Sequence, residues 1–139
     1  MATPSGEIVS MPATILCVVE GDENERDSLT SVLERLHLPV KSFASGEELL
    51  EALGHARGRT SLNLLVAGVR LPGMSGIELL KKIRARGVSA PTILVSDEGD
   101  IPTAVDAMRA GAVDFLEKPF VDRVLLRRAE TALGSNSGN

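Results

Sequence analysis

The chain has 139 residues, of which 43% are hydrophobic and 24% charged, and its formal net charge is -4. This length and apolar content suit one globular domain with one sizeable core. The acidic balance, together with three Phe and no Tyr or Trp, leaves neither a basic surface for phosphates nor rings for base stacking. Direct nucleic-acid binding by this chain is therefore not expected.

The apolar runs are short and interrupted by charges, and none approaches the ~20 residues of a membrane span. The start of the chain lacks the basic-then-apolar pattern of a secretion signal. The single cysteine, Cys17, cannot form a disulfide within the chain, which fits a reducing compartment. We therefore expect a cytoplasmic protein without a membrane partner.

Composition divides the chain into three parts. Residues 1–13 are small and polar without a period, which predicts a disordered leader. Residues 134–139 read GSNSGN and have the composition of a linker or tail. The folded domain is expected over residues 14–133.

Five short apolar or β-branched runs alternate with five helical patterns. The predicted strands, in chain order, are Ile15–Val19, Val40–Phe43, Leu62–Ala67, Thr92–Val95 and Val113–Leu116. Three of these runs are almost continuously apolar, which is typical of parallel strands covered on both faces. Strict alternation with short connections predicts an α/β fold, a flavodoxin-like doubly wound sheet of five parallel strands in the order 2-1-3-4-5 with five helices.

The helices carry recognisable stripes and caps. The first has one apolar stripe with helical spacing, made of Leu29, Val32, Leu33 and Leu36. The second and third begin with capping-box spacing, at Ser45 and Ser75, and Gly87 is a plausible stop for the third. The fourth is expected to begin near Asp100 and to end at Gly111. The fifth has one apolar side, made of Val124, Leu125, Ala129 and Leu133.

In an open parallel sheet, ligands gather at the carboxyl ends of the strands, near the reversal of strand order. That rule points here to the ends of the first and third strands and their neighbours. The residues at those ends are Glu20, Gly21, Gly68, Ser96, Lys118 and Pro119.

These positions, with three longer motifs, resemble the receiver domains of two-component response regulators, most closely the FixJ-like group. The motifs are RDSL in the first helix, RLPGMSGIELL, and GDIPTAVDAMRAGAVDFLEKPF. The similarity covers about Thr14 to Leu133. In this order and at these spacings the motifs are highly specific.

The resemblance implies a phosphorylation site built from five groups. An aspartate ending the third strand accepts a phosphoryl group, an acidic pair ending the first strand binds Mg²⁺, a Ser or Thr binds the phosphoryl oxygens, and a Lys pairs with the acceptor. Ser96 and Lys118 match their positions. The acidic pair, however, is reduced to Glu20 and Gly21, and the acceptor position is Gly68.

Gly68 can supply neither the carboxylate nucleophile nor a metal ligand. We therefore expect a degenerate site that binds no metal or binds Mg²⁺ weakly, with no cofactor and no enzymatic activity. The first hypothesis is an atypical receiver domain that signals through protein contacts without aspartate phosphorylation.

Two alternatives remain open at this point. The chain could be a phosphorelay receiver that uses an unorthodox acceptor, with Glu20, Asp22 and Asp97 near the site, or one in which Gly68 replaces a natural aspartate. A function of another class is a flavodoxin-like ligand-binding domain, for which the chain offers few aromatic rings to stack on a flavin.

The resemblance also implies roles for two residues near the site. Phe115 corresponds to the switch aromatic of the family, although an ordinary edge-strand Phe is an equal explanation. Pro119 corresponds to a proline that follows a cis peptide bond in the family.

Partners implied by the resemblance are proteins, namely a histidine kinase or an output domain. A homodimer is expected through the fourth helix, fifth strand and fifth helix, where both charge signs occur on a surface suited to two-fold self-association. The charged residues of this surface are Asp100, Asp106, Arg109, Glu117, Arg123 and Arg127.

The missing aspartate would leave the Lys118 ammonium without its partner in the family, and an unpaired buried charge is costly. Glu20 is one methylene longer than aspartate and can reach the space above Gly68. A contact between Glu20 and Lys118 is therefore expected.

Overall fold

The computed structural model describes residues 15–54 and 62–136. Strands and helices alternate along this part of the chain. In order they are β1 (Ile15–Val19), α1 (Glu23–Glu34), β2 (Val40–Phe43), α2 (Gly46–Leu53), β3 (Leu62–Gly68), α3 (Gly76–Ala85), β4 (Thr92–Ser96), α4 (Ile101–Arg109), β5 (Asp114–Glu117) and α5 (Asp122–Asn136). The predicted leader, residues 1–13, lies outside the described residues.

The five strands form one parallel sheet in the order β2-β1-β3-β4-β5, which confirms the predicted fold class. The order reverses at β1, because the chain moves outward from β1 to β2 and then returns to β3 on the other side. The carboxyl ends of β1 and β3 therefore flank a crevice, which is the usual place for a site in such sheets.

Each face of the sheet carries its own apolar core. One core joins the sheet to α2, α3 and α4, and the other joins it to α1 and α5. β1, buried along its whole length, contributes alternate side chains to the two cores, with Cys17 on the first and Leu16 on the second. Burial raises the pKa of the Cys17 thiol to about 12, so this thiol remains protonated and packs as an apolar group.

Both predicted N-caps are present, but only one is a full capping box. Ser75 accepts a hydrogen bond from the amide of Glu78, whose carboxylate accepts one from the Ser75 amide. Ser45 likewise accepts from the Glu48 amide, whereas the Glu48 carboxylate accepts from the amide of Ala44 rather than that of Ser45. The expected box at Ser45 is therefore incomplete.

Element ends differ from the predictions by a few residues. β3 and β4 each extend one residue further, and β5 begins at Asp114 rather than Val113. α4 ends at Arg109, two residues before Gly111, which has a φ of 109°. α5 continues to Asn136 and so includes the beginning of the predicted tail, while residues 137–139 lie outside the described part.

None of the helices in residues 15–54 and 62–136 is both long and apolar enough to cross a membrane.

Candidate functional site

A polar cavity of about 200 Å³ lies at the carboxyl ends of β1, β3, β4 and β5. Six of the residues named in the sequence analysis line it, namely Glu20, Asp22, Gly68, Ser96, Asp97 and Lys118. The fold therefore brings together residues from positions 20 to 118 at the reversal of strand order.

The Glu20 carboxylate lies over Gly68. A Cβ atom added at Gly68 would collide with Glu20 Oε2, so the Glu20 side chain occupies the space in which a residue-68 side chain would begin. Gly68 is buried. Glu20 itself is only 5% exposed, although it is an acidic residue.

This carboxylate is poorly neutralised. Glu20 Oε2 is buried and accepts no hydrogen bond, while Oε1 lies 3.7 Å from Lys118 Nζ. Burial raises the pKa of Glu20, the Lys118 ammonium lowers it in part, and the neighbouring carboxylates of Glu25 and Asp22 raise it again. The ionised form of Glu20 is therefore less favourable in this position than in water.

Lys118 makes its closest ion pair with Glu25, on the first turns of α1. The expected approach to Glu20 is present, but it is the longer of the two contacts. The Lys118 side chain is 20% exposed and that of Glu25 44%. Glu25 thus belongs to the site, although the sequence analysis did not single it out, because an acid near a helix N-terminus already has an ordinary explanation in the helix dipole.

The Ser96 hydroxyl is hydrogen-bonded within the loop that follows β4. Its Oγ donates to the carbonyl of Glu98 at 3.1 Å and accepts from the amide of Glu98 at 3.0 Å. In this arrangement the hydroxyl hydrogen is already used. Arg70, which also lines the cavity, forms an ion pair with the Glu98 carboxylate. These contacts tie the loop after β3 to the loop after β4.

Gly21 lies beside the cavity rather than in its lining. A Cβ atom added there would approach Pro72 Cδ to 2.8 Å, so a larger residue requires the loop after β3 to move. Arg26 Nη1 donates to the Glu20 carbonyl at 2.8 Å and fixes this turn. Phe115 is half-buried against the core of the α2, α3 and α4 face, away from the cavity. The Lys118–Pro119 peptide bond is cis.

The surface made by α4, β5 and α5 combines apolar and charged side chains. All six charged residues expected there are exposed. Among the described residues, the large apolar side chains that are exposed belong to or adjoin these elements, and they are Ile101, Val105, Met108, Val113 and Val121. Arg128 forms an ion pair with Asp114 at 2.6 Å, which the sequence analysis did not identify.

The fold and the position of this cavity define a doubly wound α/β domain whose site lies at the reversal of strand order. The sequence profile of the response regulator receiver domain matches residues 16–130. The chain belongs to this family and is a receiver domain of two-component systems.

Relatives of known function include the transcriptional regulatory protein FixJ from two bacteria. FixJ of Azorhizobium caulinodans is 40% identical over 120 residues, which are 86% of this chain and 55% of that protein. FixJ of Rhizobium meliloti is 39% identical over 115 residues, with 83% and 54% coverage. The chain thus spans about half the length of the curated relatives it matches.

Solved structures of receiver domains have the same fold as this chain. The crystal structure of FixJ-N is 37% identical, with a TM-score of 0.77 over 89% of this chain and 96% of that one. The BeF3-activated receiver domain of DrrB is 29% identical, with a TM-score of 0.78 over 87% and 97%.

Proposed function

We propose that this receiver domain regulates its partners through protein contacts and without phosphorylation of an aspartate. The observation that carries the proposal is the pairing of Gly68 with Glu20. The acceptor position has no side chain, and the Glu20 carboxylate fills the space above it. Position 68 then offers no carboxylate nucleophile to a phosphoryl donor.

The residues present do not fit the Mg²⁺ ion that the family implies. Mg²⁺ requires near-octahedral oxygen ligands. Gly21 and Gly68 offer no side-chain oxygen, and Glu20 Oε2 is buried beneath the cavity surface. Among residues 15–54 and 62–136, no group of three or more His, Cys, Asp or Glu is arranged to bind a metal.

The two family residues that remain, Ser96 and Lys118, have other partners. Ser96 is bonded to Glu98, and Lys118 is paired with Glu25 and Glu20. Both side chains are thus paired within the domain, which supports signalling that does not depend on a phosphoryl group.

The first prediction is that the domain gains no phosphoryl mass when incubated with Mg²⁺ and acetyl phosphate. The reason is the missing carboxylate at position 68. Intact-mass spectrometry provides the measurement, with a parallel sample lacking acetyl phosphate as the control. A stoichiometric, base-labile adduct would contradict the proposal and indicate an unorthodox acceptor.

Receiver domains act with histidine kinases and output domains, and the FixJ relatives are transcriptional regulators by name. We propose that the surface of α4, β5 and α5 is the contact of this domain with a second copy of itself. Exposed apolar side chains there, Ile101 and Met108 among them, would be removed from water by association. The charges of both signs around them would fix the orientation.

A second prediction follows for self-association. Val105→Asp should weaken dimerisation by roughly tenfold, because it places a charge within the apolar part of the surface. Sedimentation equilibrium measures this change. Ser31→Asp, at an exposed position of α1 outside this surface, is the matched control and should leave the dimer unchanged. A wild-type domain that remains monomeric at high concentration would contradict self-association through this surface.

A further inference from the structure

A groove of about 360 Å³ lies between α1 and the beginning of α5. Its floor is apolar, with buried Leu29, Val32 and Leu125 and half-buried Phe120. This volume falls within the range of roughly 300 to 1,000 Å³ in which small-molecule sites usually lie. The groove is therefore large enough for the apolar body of a small ligand.

The rim of the groove is acidic. Glu25 and Asp122 line it, and Lys118 is the one cation among its described lining residues. The ion pair of Asp122 with Arg35 has a distance of 3.4 Å and is largely exposed, so it holds Asp122 only weakly. Asp122 has Arg35 as its cation, whereas Lys118, the cation of Glu25, has a second carboxylate within reach. Glu25 is therefore the rim carboxylate open to a positively charged ligand group.

The Glu25–Lys118 ion pair is a wall shared by this groove and the cavity at the strand ends, since both residues line both spaces. Lys118 Nζ also lies 3.7 Å from Glu20 Oε1, and Glu20 Oε2 accepts no hydrogen bond. Lys118 therefore has a second carboxylate available, one that is buried and incompletely neutralised. A cation that bound in the groove and paired with Glu25 would free Lys118 to pair with Glu20.

We propose that the groove between α1 and α5 binds a small amphipathic organic cation. Its apolar body would lie on Leu29, Val32 and Leu125, and its ammonium or guanidinium group would pair with Glu25. Binding would shift Lys118 from Glu25 to Glu20. This inference goes beyond the proposed function, because it gives the domain a ligand that acts on the degenerate site, and it does not depend on the outcome of phosphoryl labelling.

Three ligands with the same apolar body test the charge preference on the full chain, namely hexylammonium, 1-hexanol and hexanoate. In ¹H–¹⁵N NMR titrations, hexylammonium should shift the signals of the groove residues and bind about fivefold or more tightly than 1-hexanol, the difference expected for one partly exposed ion pair. Hexanoate should bind more weakly than either. Glu25→Gln should reduce the affinity for hexylammonium to that for 1-hexanol. Glu23→Gln, an exposed acid of α1 that does not line the groove, is the matched control and should change neither affinity.

The side-chain carboxyl ¹³C signal of Glu20 reports the movement of Lys118. With hexylammonium bound, the Glu20 titration should move to lower pH, because the ammonium that favours its ionised form has come closer. With 1-hexanol it should not move. In Glu25→Gln the titration should already lie lower without ligand, and hexylammonium should not change it further.

Three results would overturn the inference. Equal affinity for hexylammonium and 1-hexanol would show that Glu25 plays no part in binding. Shifts confined to residues outside the groove would show that the ligand binds elsewhere. Binding in the groove with an unchanged Glu20 titration would show that the groove and the cavity are not coupled.

Discussion

Gly68→Asp alone should restore little phosphorylation, whereas Glu20→Asp/Gly21→Asp/Gly68→Asp should be labelled by acetyl phosphate and Mg²⁺. In the single variant the new Cβ collides with Glu20 Oε2, and two carboxylates crowd one buried space. Magnesium would also lack the oxygen ligand that Gly21 cannot provide. We expect labelling of the single variant to be roughly 100-fold slower, since metal stabilisation of phosphoryl charge contributes several kcal/mol. Intact-mass time courses measure the two rates.

The matched control is Glu20→Asp/Gly21→Asp/Gly68→Ala, which keeps both other changes and lacks the nucleophile. It should remain unlabelled. Of the three substitutions, Gly21→Asp requires a shift in the fold, because a Cβ atom at position 21 would lie 2.8 Å from Pro72 Cδ. The double variant Glu20→Asp/Gly68→Asp avoids this contact. That double variant should be labelled at an intermediate rate. If Gly68→Asp alone were labelled as fast as the triple variant, Glu20 would be shown to tolerate and support the chemistry.

The strand order and most strand bounds could be predicted from the sequence, because the patterns that mark strands are local. Buried parallel strands are continuous apolar runs, as in Ile15–Val19, which was predicted with the bounds that the structure has. The edge strand Val40–Phe43 was also predicted with its observed bounds, although only Phe43 in it is buried. The predicted fifth strand began and ended one residue before the observed β5. The Val113 amide donates to the Thr92 carbonyl at 2.9 Å, but its side chain is 49% exposed, so hydrophobicity alone does not mark the first residue of the strand.

The partners within the site could be predicted only in part. Glu20 and Lys118 follow strands whose order was predicted, so their proximity could be expected. The Glu25–Lys118 pair joins residues 93 positions apart and depends on where α1 packs against the sheet. The capping role of Ser75 was local and predictable, whereas the direction of the Ser96 hydroxyl depends on the turn that follows it.

The last prediction concerns the buried carboxylate. Lys118→Met should lower the free energy of unfolding by roughly 2 kcal/mol at pH 8, less than the about 3–5 kcal/mol typical when a fully buried ion pair loses one partner, because the Lys118 side chain is 20% exposed. Methionine keeps the apolar stem of the side chain and removes its charge. Chemical denaturation at a series of pH values measures the effect.

The pH dependence separates this electrostatic cost from lost packing. The pKa of Glu20 in the fold is raised from its ordinary value of 4.5, first by burial and then by Glu25 and Asp22, against the lowering effect of Lys118. A carboxyl with a raised pKa contributes stability that is fully present below pH 4.5 and is lost as the pH rises through the pKa of the folded state. Removing Lys118 raises that pKa further, so the cost of Lys118→Met should grow from pH 4.5 to pH 8.

Glu20→Gln should suppress this pH dependence in the Lys118→Met background, because the buried group can no longer ionise. In the wild-type background, the stability of Glu20→Gln relative to wild type should likewise rise with pH, by roughly 1 kcal/mol between pH 4.5 and pH 8. Glu25→Gln is the matched control, and it should suppress the effect less, since the Glu25 side chain is 44% exposed and solvated when unpaired. A cost of Lys118→Met that is the same at pH 4.5 and pH 8 would contradict this account, because it would mean that Lys118 does not alter the ionisation of Glu20 in the fold.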